Sequence, residues 1–306
     1  MSFINISEEV REAVSKNLPV VALESTIFTH GLPRPRNFEV ALEGEQFVRD
    51  AGAVPATIGV HNGVPTVGLS KEQIKELSED DEVLKSGIRE LAIGALNQKN
   101  AGTTIAGTSF LAHSAGIRVF ATGGLGGVHH GASENFDESA DLLALAQNPI
   151  VLVSSGAKAV LDIHATLERF ETLSIPLVGY QTHSYPGFYV RESGFSLAHK
   201  VENPDQIATI YHSQRELGLD TALMVGNPVP TQDELDPQLL DGVIEKAWAA
   251  LEEQNVEGQQ VTPFLLDFIR VETGDASLNA NVALYFNNID LASRVAKALT
   301  SERKAA

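Results

Sequence analysis

The stretch RVFATGGLGGVHHGASENFDESADLLALAQNPIVLVSSG, residues 118–156, decides the fold. It opens on an apolar run, RVFATGG, and passes through glycines, histidines and acids. A helical pattern from about Glu138 to Gln147 then stops at Asn148-Pro149, and a second apolar run, IVLVSSG, follows. Short apolar runs bounded by turn residues read as strands buried on both faces. Strand, crossover and strand make a βαβ unit, whose two strands lie parallel.

The same alternation extends outward. A short helix over residues 6–16, opened by Ser7, precedes the run from Pro19 to Leu23, which ends in Glu24. A loop with Pro33 and Pro35 leads to a helix expected from Phe38 to Ala51. VPATIGVHNGVPTVGLS, residues 54–70, holds two β-rich runs joined by Asn62-Gly63, a strong hairpin signal. Ser70 with Gln73 predicts a capping box for the helix KEQIKELSE. Between Ile88 and Ile117 small residues, glycine and threonine alternate with apolar ones, and no definite element is read. Beyond 156 a long amphipathic helix is expected from about Ala157 to Thr172, then strands IPLVGYQT and TALMVGNP around a helix over 204–217, then about seventy mostly helical residues. The expectation is an α/β protein, a single α/β/α sandwich domain over 1–306 with a mostly parallel mixed central sheet and a β-hairpin excursion.

Composition removes several function classes. The chain has 306 residues and a formal charge of -18, from 40 acids against 22 bases, with no lysine or arginine cluster. A phosphate-neutralising nucleic-acid surface is therefore excluded, although a small phosphorylated ligand needs only one or two local cations. The absence of cysteine excludes disulfides, thiolate zinc sites and a cysteine nucleophile. No apolar run has signal-peptide or membrane-spanning length, so a cytoplasmic protein with no membrane partner is expected.

Several polar residues sit where chemistry is built. Glu24 ends a strand, the place where parallel sheets bind ligands, and reads either as a general acid or as a capping or salt-bridged carboxylate. Lys158, in SSGAK, falls in the first turn of the helix expected from Ala157, where the dipole and apolar surroundings disfavour an ammonium; it is either a nucleophilic amine or a solvated lysine. Asp137 and Asp141 flank Ser139 at a helix start, as ligands of a hard cation or as ordinary dipole partners. Gly123-Gly124-Leu125-Gly126-Gly127 is too tightly spaced for a dinucleotide fingerprint and reads as a flexible or nest-forming loop around a phosphate or ribose, with His129 and His130 at its end. Lys85 and Arg89, one helical turn apart, are anion handles or a solvated face. Asn281 bonds a ligand or satisfies backbone at a helix start.

Taken in order, VVALESTI, GAVPATIGV, GLSKEQI, TTIAGT, VFATGGLGGVHHGA, FDESADL, GAKAVLD, PLVGYQT, NPVP, TPFLL and NANVALYFNN closely resemble the pseudouridine-5′-phosphate glycosidases over nearly the whole chain. The resemblance implies reversible cleavage of the bond between uracil C5 and ribose C1′, giving uracil and ribose 5-phosphate. It implies Lys158 as the Schiff-base lysine, Glu24 as proton donor and Asp137 as ligand of one Mn²⁺ per subunit. Lys85, Ile105, Ser139, Ala140 and Asp141 fall on substrate-binding positions, and Thr122, His129 and Asn281 on polar positions of the same pocket. A homotrimer is implied by the resemblance alone. Two departures stand out, His130 where relatives commonly carry arginine, and Ile88, beside which only Arg89 remains as a cation. The competing readings are a Schiff-base aldolase of sugar phosphates, a metal-dependent N-nucleoside hydrolase and a non-enzymatic nucleotide sensor.

Overall fold

The computed structural model describes residues 3–256 and 261–301. Its strands are β1 (Asn5–Ile6), β2 (Val20–Glu24), β3 (Val54–His61), β4 (Val64–Val67), β5 (Leu84–Ser86), β6 (Ala101–Thr103), β7 (Val119–Ala121), β8 (Val151–Ser154), β9 (Leu177–Tyr180), β10 (Lys200–Val201) and β11 (Leu223–Gly226). They form one sheet in the order β1-β4-β3-β2-β7-β8-β11-β9-β10, with β6 paired to β3 and β5 to β6. Only β3 with β4 and β3 with β6 run antiparallel. The β3–β4 turn is the predicted hairpin, with Asn62 at φ 50° and Gly63 at φ 76°, the left-handed pair that a two-residue turn of matching twist requires.

Period-2 side-chain alternation serves a sheet buried on both faces. Val21 and Leu23 of β2, Val119 and Ala121 of β7 and Val151 and Val153 of β8 enter one core, with the helices Arg36–Asp50, Pro204–Glu216, Pro237–Glu253, Val261–Glu272 and Ala276–Thr300. Ala22, Phe120 and Leu152 enter the other, with Glu8–Ser15, Ile105–Ser114, Ala140–Leu145 and Ile163–Thr172. This is the expected sandwich. Among the described residues no helix is long and apolar enough to cross a membrane.

Local signals held where they were local. Ser7 caps the first helix, and Ser70 and Gln73 form the capping box. The segment from Ile88 to Ile117 resolves into Ile88–Asn97, β6 and Ile105–Ser114, the last capped by Thr104. One expectation is corrected. The helix begins at Ile163 and not at Ala157, with Asp162 as its N-cap accepting from the Ala165 amide. Residues 157–162 instead bond to the glycine loop: Lys158 N donates to Leu125 O at 3.1 Å and Asp162 N to Val128 O at 2.9 Å. Those tertiary bonds take the amides that a helix would have used.

The carboxyl ends of β7, β8 and β11 meet under one buried side chain. Asn288 Nδ2 donates to Thr122 O at 2.8 Å, lies 3.1 Å from Ser155 Oγ, and its Oδ1 accepts from Asn227 Nδ2 at 2.9 Å. Replacing it with a residue of equal size but no amide orphans several buried groups. We expect Asn288→Leu to cost about 2–4 kcal/mol of stability, read as a lowered urea midpoint with an unchanged slope.

Candidate active site

Glu24, the last residue of β2, is 6% exposed. Burial raises its pKa first of all; Lys158 and the hydroxyls of Thr122 and Thr26 pull in the opposite direction. Thr122, just past β7, donates to Oε1, and Thr26, at the start of the Thr26–Thr29 helix, donates to Oε2. Both carboxyl oxygens are thus held in the core, at the sheet edge where ligands bind. Thr122 supports Glu24 from a fully buried position, whereas Thr26 faces the cleft.

Lys158 reaches the cleft from a loop and not from a helical turn, so no helix dipole acts on it as expected. Gly156, at φ 86°, turns the chain after β8, and a bridge between Leu125 and Ala157 sets the lysine against the glycine loop. The glycine loop is closely packed. A Cβ on Gly126 would stand 2.7 Å from Asp141 Oδ2, and one on Gly124 would stand 2.5 Å from the Phe188 ring. These glycines permit close packing, and the Gly126 amide is already spent on Asp141 Oδ2 at 3.0 Å. The other carboxylate oxygen of Asp141 accepts from Ala106 N at 2.9 Å, which joins the glycine loop to the Ile105–Ser114 helix.

Lys85 lies on β5 and Arg89 in the first turn of the next helix, so they are not a helical pair, yet both line the same cavity. Burial lowers the pKa of Lys85, and the like charge of Lys158 adds to the effect. Arg89 Nε pairs with Glu90 at 2.7 Å. His129 has its pKa lowered, chiefly by burial, and its Nδ1 is enclosed without a hydrogen-bond partner. His130, the departure from the family pattern, turns away and packs edge-on against Trp248 at 5.3 Å.

These groups converge on a cavity of about 680 Å³, the size of a small-molecule site. Glu24, Lys85, Ile105, His129, Asp137, Ser139, Ala140, Asp141 and Lys158 all line it. A narrower recess opens beside it, walled by Gly123, Gly124, Phe188, Pro263 and Leu266, with the Asn281 amide and His30 as polar groups. Glu24, Thr26, Lys85, Lys158 and Thr262 border both spaces. Asn281 stands inside the Ala276–Thr300 helix and not at its start. Thr26, His30, Phe188 and Thr262 escaped the sequence reading. The run YPGFY at 185–189, aromatic residues in a loop, was the available signal for Phe188.

Among the described residues no three of His, Cys, Asp or Glu converge as a metal cluster. The donor set fits a hydrated hard cation that keeps most of its waters: the exposed carboxylate of Asp137, beside the orphaned nitrogen of His129.

Comparison with known proteins agrees over almost the full chain. The family model described as indigoidine synthase A like protein matches residues 9–298. The pseudouridine-5′-phosphate glycosidase of Saccharopolyspora erythraea is 55% identical over 294 residues, 96% of this chain and 97% of that protein. The one from Geobacillus kaustophilus is 43% identical, over 97% and 99%. Among solved structures, prealnumycin C-glycosynthase AlnA in complex with ribulose 5-phosphate superimposes with a TM-score of 0.90 at 31% identity, covering 97% of both chains. An indigoidine synthase A-like protein from Thermotoga maritima gives 0.89 at 38%, covering 98% of both.

Proposed function

We propose a function from one premise: this chain belongs to the indigoidine synthase A like family, among pseudouridine-5′-phosphate glycosidases. It is an enzyme that reversibly cleaves the C-glycosidic bond of pseudouridine 5′-phosphate to uracil and ribose 5-phosphate. One observation carries the reading. Glu24 and Lys158 border both the wide cavity and the narrow recess, so a bond that straddles the two spaces meets an acid and an amine together. The recess suits a planar base, with Phe188 as an apolar wall and Asn281 able to pair with an imide edge. The wide cavity suits a sugar phosphate, with Lys85 and Arg89 as cations and Ser139, Ala140 and Asp141 along its wall.

Two carboxyl groups can expel an oxygen leaving group, but a C-glycoside offers none to protonate. In the proposed sequence the Lys158 amine attacks C1′ and the C1′–O4′ bond breaks, O4′ taking the proton of Glu24 as the ring opens. The ionised Glu24 then takes a proton from the new C1′ ammonium, the freed nitrogen lone pair forms a C=N bond as the C1′–C5 bond breaks, and the departing uracil C5 takes that proton from Glu24. Water hydrolyses the resulting protonated Schiff base, releasing ribose 5-phosphate, and the proton left on the lysine returns to Glu24, restoring the amine and the acid. One Mn²⁺ per subunit, held by Asp137, would polarise water and substrate oxygens near this centre.

The decisive experiment incubates the protein with ribose 5-phosphate and borohydride. A reduced adduct on Lys158 by peptide mass spectrometry is expected, and Lys158→Ala should lose both the adduct and about a thousandfold or more of turnover. Turnover without any adduct at Lys158 would overturn the covalent step. Because Glu24 must donate a proton, kcat/KM should fall as pH rises through its raised pKa. Thr122→Val removes a hydrogen bond that favours the carboxylate, so this alkaline limb should move to higher pH; movement to lower pH contradicts the assignment. Chelation should depress turnover, Mn²⁺ should restore it, and Asp137→Asn should lose the Mn²⁺ paramagnetic signal of the bound ion.

A further inference from the structure

A second large cavity, of about 470 Å³, opens on the same carboxyl edge of the sheet, beyond β8. Tyr180 ends β9 and Asn227 follows β11, and the two strands are paired. Two guanidinium groups face the space. Arg191 Nη1 is anchored on the carbonyl of Val229 at 2.7 Å and not on a carboxylate, while Glu234 accepts from the Arg191 backbone amide at 2.8 Å. Arg294 lies over the Tyr180 ring at 5.8 Å and pairs with Asp290 at 2.8 Å. Its Nε is enclosed with no hydrogen-bond partner.

The lining differs from the chain as a whole, although Asp290 and Glu234 stand behind the two arginines. With a net charge of -18 overall, this space is lined by two arginines and no acid. The side chains of Gln181, Asn227 and Asn287 and the Tyr180 hydroxyl complete a polar lining. Held on a backbone carbonyl, the Arg191 guanidinium keeps its remaining N–H groups for a ligand; Arg294, paired with Asp290 and donating from Nη1 to the Tyr180 hydroxyl at 3.3 Å, adds a second positive charge beside it, and the two suit the several acceptor oxygens of a tetrahedral oxyanion. The catalytic groups assigned above line other spaces.

We propose that this cavity is a second oxyanion site, taking a phosphate dianion, free or as the phosphate group of a small sugar phosphate. Crystals soaked in selenate, which has the shape of phosphate and scatters anomalously, should show a peak among Arg191, Arg294 and Asn227. Calorimetric titration with inorganic phosphate should require an event that Arg191→Met weakens about tenfold or more, while turnover stays within about twofold of the parent. If Arg191→Met fails to fold, Arg294→Met reads the same event. Ribose 5-phosphate competing for that event identifies a sugar phosphate as the occupant, and no competition assigns the site to free phosphate. A selenate peak confined to the catalytic cavity, with phosphate binding untouched by either variant, overturns the proposal.

Discussion

The structure depends on the buried amide of Asn288. Parallel strands end by presenting backbone groups at one edge of the sheet, and a carbonyl buried there without a partner costs as much as a lost hydrogen bond. Here that edge lies beneath the Ala276–Thr300 helix, where water is excluded. One side chain bonds the Thr122 carbonyl, the Ser155 hydroxyl and the Asn227 amide, and so closes three strand ends together. Thr122 is then fixed at both ends: its carbonyl belongs to this network and its hydroxyl to Glu24. The orientation of the acid follows from satisfying the sheet.

Electrostatics and packing converge on the same cleft. Burial lifts the carboxyl of Glu24 and depresses the ammonium of Lys85, so the environment favours neutral forms of both kinds of group. An acid that keeps its proton is what opening of a sugar ring requires. Asp141 takes a different part. With its two oxygens on the amides of Ala106 and Gly126, it serves as a brace that holds the glycine loop against the Ile105–Ser114 helix.

Much of this was legible because strands and turns announce themselves locally. The apolar runs of β2, β7, β8 and β11, the Asn62-Gly63 hairpin and the Ser70–Gln73 box each depend on neighbours in sequence. The helix expected from Ala157 was misread because the amides of Lys158 and Asp162 bond to Leu125 and Val128, more than thirty residues away. No periodicity records such a bond. The need for glycine in the loop was not legible for a related reason: the contacts to Phe188, Ser139 and Asp141 that leave no room for a Cβ exist only in the fold. Glu24, Lys158 and Asp141 were located by sequence, while Thr26 and Phe188 needed the arrangement of the chain. Thr122, placed by resemblance among the polar residues of the pocket, donates its hydroxyl to Glu24.

The hydrogen bond from Asn288 to the Thr122 carbonyl spans 166 residues of sequence. A ribosome adding roughly 5–20 residues per second needs on the order of ten seconds or more to cover that interval. Once residue 226 is made, the nascent chain carries its strands, its acid and its lysine, but still lacks Asn288 to close the sheet edge. Catalytic competence therefore arrives late in synthesis, and a chain stalled before residue 288 would hold the reactive groups without the geometry that makes them an enzyme.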